Sequence, residues 1–150
     1  MDTPAESRPP EIAVELAETL RAFVGTLKRQ LREQADVGDL KPSQIAVLLH
    51  LEKHGAATTS SLARAVSMRP QSMGPIIVAL QAGGMVAGAP DPADGRQTLL
   101  SLTDPCRQWM AQGRAARQDW LSRTIGTRLS ADEQDQLVAA MPLLLRLVAE

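Results

Sequence analysis

Apolar residues recur every three or four positions through most of this chain, and one stretch abandons that rhythm. It is "MVAGAPDPADGRQTLLSLT", residues 85–103. A three-to-four period means amphipathic helices, each with a face that has to be buried. A single break dense in turn formers leaves room for one small β-element. The chain is therefore expected to be mainly α with a small β-hairpin.

Residues 1–10, with three prolines, read as a flexible N-terminal lead-in. From Glu11 to about Gln34, Ile12, Leu16, Leu20, Phe23, Val24, Leu27 and Leu31 mark one long helix that cannot bury its stripe alone. Pro42 suits the first position of the next helix, which carries Ile45, Leu48, Leu49 and Leu51 and should stop at Gly55. Thr58 is a good cap for a third, short helix with Leu62, Ala63 and Val66. A fourth runs from about Pro70 to Ala82 and stops at Gly83-Gly84. Two extended runs, Met85–Ala87 and Gln97–Leu102, flank the turn formers of "PDPADG". A fifth helix from Asp104 to about Thr124 follows, then a sixth opened by the capping box "SADE" at Ser130–Glu133. Pro142 is expected to kink or break that last helix near Val138 to Met141.

A chain of 150 residues buries about 70% of its unfolded surface and needs no disulfide or metal to hold a core. The one cysteine, Cys106, cannot form an internal disulfide, which points to a reducing, cytoplasmic setting. "MDTPAESRPPE" is acidic and proline-rich, unlike a secretory leader, and no apolar run approaches the ~18 residues of a membrane helix, so no membrane partner is expected. Net charge is −1, but its distribution is uneven. Residues 40–103 hold five basic residues (Lys41, Lys53, Arg64, Arg69, Arg96) against three acidic ones (Glu52, Asp91, Asp94), a balance of +2. That is a small bias toward a phosphate-bearing partner.

Helix, short helix, tight turn, helix and hairpin in that order make a winged helix-turn-helix. Its second motif helix enters the major groove of double-stranded DNA with its N-terminal residues. Gln71 and Ser72 at the start of the Pro70–Ala82 helix suit that role: glutamine bonds an adenine edge bidentately, and serine accepts several partners. Arg69 lies just before them, within reach of phosphate or guanine. Arg96, near the hairpin tip, can enter a narrow minor groove, with Asp94 bracing it through an ion pair. The candidate DNA-contacting set is Ser60, Arg69, Gln71, Ser72, Met73, Asp94 and Arg96. Gly74 and Pro75, both poor in a helix interior, sit just behind it; together they cost about 4 kcal/mol of helix propensity.

The stretch from Leu40 to Thr103 resembles the MarR family of bacterial transcriptional regulators. The likeness rests on Leu40, Gln44, Leu62-Ala63, Leu80, Gly84, Val86, Asp91, Asp94, Arg96 and Leu102-Thr103, with the D-x-x-D-x-R wing before L-T its most specific part. The resemblance implies one domain over residues 11–150. Residues 40–103 form the DNA-binding winged helix-turn-helix, and 11–36 and 104–150 supply dimerisation helices. It also implies a homodimer reading a near-palindromic operator, commonly as a repressor released by a small aromatic or phenolic effector. Candidate effector contacts are Phe23, His50 and Trp109.

Several positions depart from the family pattern. Lys41 stands where Thr or Ser often caps, Ser61 replaces a common Glu, and Gly95 replaces a frequent second wing arginine. Fewer phosphate contacts imply weaker or more shape-dependent binding. The alternative is a dimer of the same fold that works mainly through protein contacts. His50 and His54 are spaced i, i+4 but lack a third ligand, so no metal site or cofactor is expected. No nucleophile–base set, phosphate loop or carboxylate pair suggests an enzyme.

Overall fold

The computed structural model describes residues 10–150. The lead-in expected over residues 1–10 therefore lies outside them, apart from Pro10, which precedes the first helix. In chain order the elements are α1 (Glu11–Gln34), α2 (Pro42–His54), α3 (Thr59–Ala65), α4 (Pro70–Ala82), β1 (Val86–Pro90), β2 (Thr98–Leu102), α5 (Asp104–Arg128) and α6 (Ala131–Arg146). They fall into two compact units. Val37–Ala115 is one; the described residues up to Asp36, with those from Ala116 onward, are the other. No helix among the described residues is long and apolar enough to cross a membrane.

The Val37–Ala115 unit is organised by its stop signals. Pro42 opens α2, the Gln44 Oε1 accepts from the Lys41 N–H at 2.8 Å, and Gly55, at φ +82°, ends the helix. Ala57 then exchanges two backbone hydrogen bonds with Leu100, at 3.0 and 2.8 Å, which ties the α2–α3 connection to the hairpin. Thr58 Oγ1 caps α3 by accepting from the Ser61 N–H at 3.2 Å. Ser67 takes a left-handed conformation, φ 56°, and its neighbour Met68 donates back to the Ala63 carbonyl at 2.8 Å. That single residue turns α3 into α4. At the far end of α4, Gly84 (φ +72°) donates to Gln81 and Met85 to Leu80, the paired bonds of a left-handed helix stop.

The hairpin is antiparallel, with Val86 opposite Leu102, Gly88 opposite Leu100 and Pro90 opposite Thr98. Its inner face places Val86, Leu100 and Leu102 in one core with Val47, Leu48 and Leu51 of α2, Leu62 and Ala63 of α3, Met73, Ile77 and Leu80 of α4, and Cys106 of α5. Thr103 joins hairpin to helix. Its hydroxyl donates to the Gly84 carbonyl at 2.7 Å and accepts from the Cys106 N–H at 3.3 Å, so the "LT" pair is a core residue followed by a helix cap.

Four expectations change. Val47, not Leu49, lines the core; Leu49 lies on the open side of α2. The strands are shifted to Val86–Pro90 and Thr98–Leu102, because Gly84 and Met85 are used by the helix stop. α5 runs on to Arg128, since nothing after Thr124 forbids it and Gly126 meets no obstacle. α6 is not broken at Pro142 but continues to Arg146. The carbonyl that loses its donor belongs to Val138, which is 70% exposed, so water can replace the missing bond.

In the second unit the helices α1 and α6 hold no buried residue. The Ser130–Glu133 capping box that opens α6 forms as expected, with Ser130 N–H to Glu133 at 2.8 Å and Glu133 N–H to Ser130 Oγ at 3.2 Å.

Candidate nucleic-acid interface

An α4 side chain advances about 100° around the axis per residue. Met73, Ile77 and Leu80 therefore share one side, and that side is the buried one. Gln71, Pro75, Val78 and Ala82 lie diametrically opposite and are exposed. The first turn thus offers Arg69, Gln71 and Ser72 to solvent together, and these three expected contacts share one tip. Met73 leaves the set. It is 0% exposed, packed among the core residues, and its side chain cannot reach a base without unfolding α4.

Ser60 is exposed in the first turn of α3, its hydroxyl 3.2 Å from that of Thr58. Arg64, absent from the expected set, is exposed in the last turn of the same helix. Between Glu52 and Asp91 the chain has no acidic residue at all, so α3, α4 and the turn between them carry only positive charge. α4 itself is uncharged.

The wing tip is built by its two aspartates. Asp91 Oδ1 accepts from the Ala93 N–H at 2.9 Å, and Asp94 Oδ1 accepts from the Arg96 N–H at 3.1 Å. Backbone bonds from Asp91 to Gln97 and from Gln97 to Asp94 close the loop. Short carboxylates bonding backbone two residues on are turn-formers. The expected Asp94–Arg96 ion pair is therefore corrected: Asp94 holds the Arg96 backbone, and the exposed guanidinium is in no ion pair among the described residues.

The expected effector contacts are dispersed in kind. Phe23 is 56% exposed on α1. His50 is half-buried on α2, its ring 4.5 Å from that of His54 and tilted by 34°. Trp109 is half-buried against the core of the Val37–Ala115 unit. Among the described residues no group of three or more His, Cys, Asp or Glu gathers where it could hold a metal. Cys106 is buried, and burial, then the nearby Glu52 carboxylate, pushes its thiol pKa up, with Arg107 opposing. A thiol so placed stays protonated and poorly nucleophilic. Glu52 also receives Arg114 of α5 at 2.7 Å to each carboxylate oxygen, which fastens the first turns of α5 to α2.

The profile of the MarR family matches residues 38–97. An uncharacterized HTH-type transcriptional regulator of Mycobacterium bovis is 38% identical over 135 residues, covering 90% of this chain and 94% of that protein. The HTH-type transcriptional repressor MdtR of Bacillus subtilis is 27% identical over 86 residues, 57% of this chain and 56% of that one. Among solved structures, a proposed transcriptional regulator from Pseudomonas aeruginosa superposes with a TM-score of 0.80 at 34% identity, over 95% of this chain and 99% of that one. A mutant of S. aureus MepR bound to an oligodeoxyribonucleotide shares the fold at 18% identity, TM-score 0.71, over 89% and 98% of the two chains.

Proposed function

Because the chain belongs to the MarR family of transcriptional regulators, we propose that it is a homodimeric, effector-responsive repressor. It reads a near-palindromic operator with α4 and steadies itself with the wing arginine. The observation that carries this is the α4 tip: Arg69, Gln71 and Ser72 exposed together in a segment, residues 53–90, that contains no acidic residue. Two such tips on a two-fold axis address successive major grooves about 34–36 Å apart. The sign of regulation follows MdtR, which is named a repressor. A small aromatic or phenolic effector releases the operator by favouring dimers whose tip spacing no longer matches the groove repeat. Its differential affinity for the two forms sets how far it can shift them. The setting is the cytoplasm, where the operator is.

The test is a mobility shift with the duplex immediately upstream of the protein's own gene, repeated with Gln71→Ala and Arg96→Ala. Gln71→Ala should relax discrimination at one base pair per half-site, a loss of about 1–3 kcal/mol there. Arg96→Ala should weaken binding and lower the salt slope by about one unit per wing. The modest +2 of residues 40–103 favours a second reading, a dimer that acts through protein contacts. Absence of any shift at low salt would select it.

A further inference from the structure

The outward stripe of α4 is continuous with its tip but chemically unlike it. After Gln71 come Pro75, Val78 and Ala82, none with a side chain that can hydrogen-bond, with the half-buried Gly74 on their flank. Val78 is 64% exposed among the described residues. A Cβ added at Gly74 would meet no atom within 4 Å, so no internal packing demands a glycine there. The missing Cβ thins the helix on the flank of the stripe between Gln71 and Val78. Pro75 adds an apolar ring to the same side, while its missing N–H leaves the Gln71 carbonyl without its i+4 donor. Arg64 and Arg69 lie in the preceding helix end and turn, and the segment from Lys53 to Pro90 has no negative charge to repel a phosphate chain.

Resting on the DNA-reading function proposed above, we infer that this stripe selects thymine: Gln71 takes an adenine edge, and Pro75 and Val78 meet the C5-methyl groups of thymines further along the same groove. The major-groove edges of the four bases offer one apolar group, the thymine methyl. An apolar side chain set against any other edge would strip water from base donors and acceptors without replacing their bonds. The thinned backbone at Gly74 lets the groove floor approach, and the uncharged helix leaves phosphate contacts to Arg64, Arg69 and Arg96. Specificity then comes from methyl groups and one amide rather than from arginine on guanine.

The experiment selects binding duplexes from a randomised pool with the full chain at low salt. The best duplex is then remade with deoxyuridine for every thymine, which removes methyls and keeps all hydrogen-bonding groups. Wild-type protein should lose about fourfold per contacted methyl, about fifteenfold if each half-site loses one. Val78→Ala, at an exposed position, should leave the melting temperature unchanged, bind the thymine duplex more weakly and respond less to deoxyuridine than wild type does. Equal binding of the two duplexes by wild type would overturn the inference while leaving DNA reading intact. So would a Val78→Ala variant that keeps the full deoxyuridine penalty. A pool in which no duplex is enriched would overturn the DNA-reading function and this inference with it.

Discussion

Gly88 shows how tightly single residues are specified in the wing. It sits opposite Leu100 on the inner face of the hairpin, and a Cβ there would lie 2.8 Å from Thr98 Cγ2 and 3.3 Å from Gln81 Nε2. The threonine methyl is on a β-branched side chain with little freedom to turn away. Gly88→Ala should therefore destabilise the chain by about 1–3 kcal/mol, read as a lower urea midpoint. Cys106 makes a different claim. Its folded pKa is raised, so the unfolded thiol loses its proton first as pH rises, and the folded state binds more protons. Stability is then fully present below the ordinary thiol pKa of about 8.5 and declines as pH climbs from there through the folded value. Cys106→Ala should be less stable at pH 7 yet show a flatter decline between about pH 8 and 10, followed by thermal melts. The native thiol should also resist a thiol reagent at neutral pH that labels it once urea unfolds the chain.

At the scale of elements, the α3–α4 turn depends on Ser67 at φ 56°, a conformation that costs an L-residue about 1–2 kcal/mol. Ser67→Gly should raise stability by about 0.5–1 kcal/mol in urea denaturation. A loss of stability would mean the turn is held differently. Element boundaries were readable wherever the sequence placed a residue with a strong backbone or capping preference. Pro42, Gly55, Thr58, Pro70, Gly84 and Ser130 each sit at the end they announce. Pro75 lies inside α4 as expected, but α6 runs past Pro142, because a helical proline's cost depends on whether the orphaned carbonyl meets water, which sequence does not display. Of the residues expected to contact DNA, Arg69, Gln71 and Ser72 share an exposed tip and Met73 does not. Spacing from Gln71 puts Met73 two residues on, about 200° around the helix and hence in the core. The wing aspartates hold backbone rather than Arg96, a distinction that needs atomic positions. The outward Pro75–Val78 stripe was implicit in the same wheel, but an exposed valine carries no polar signal to draw notice.

For the whole molecule, the decisive fact is what a single chain leaves uncovered. Ile12, Leu16, Phe23 and Val24 on α1 and Leu137, Val138, Met141 and Leu145 on α6 are all exposed large apolar side chains. Soluble monomers rarely show so much apolar surface in two helices, and obligate homodimers routinely bury more than about 2,000 Å² of such surface. The central claim is that two chains join through these helices and present two α4 tips to one duplex. Sedimentation velocity of the full chain, alone and with a labelled duplex from upstream of its own gene at low salt, tests it in one experiment. The expected result is a particle of two chains at low micromolar concentration and a complex of one such pair per duplex. A chain that sediments as a monomer throughout, or a duplex whose sedimentation never changes, would contradict it.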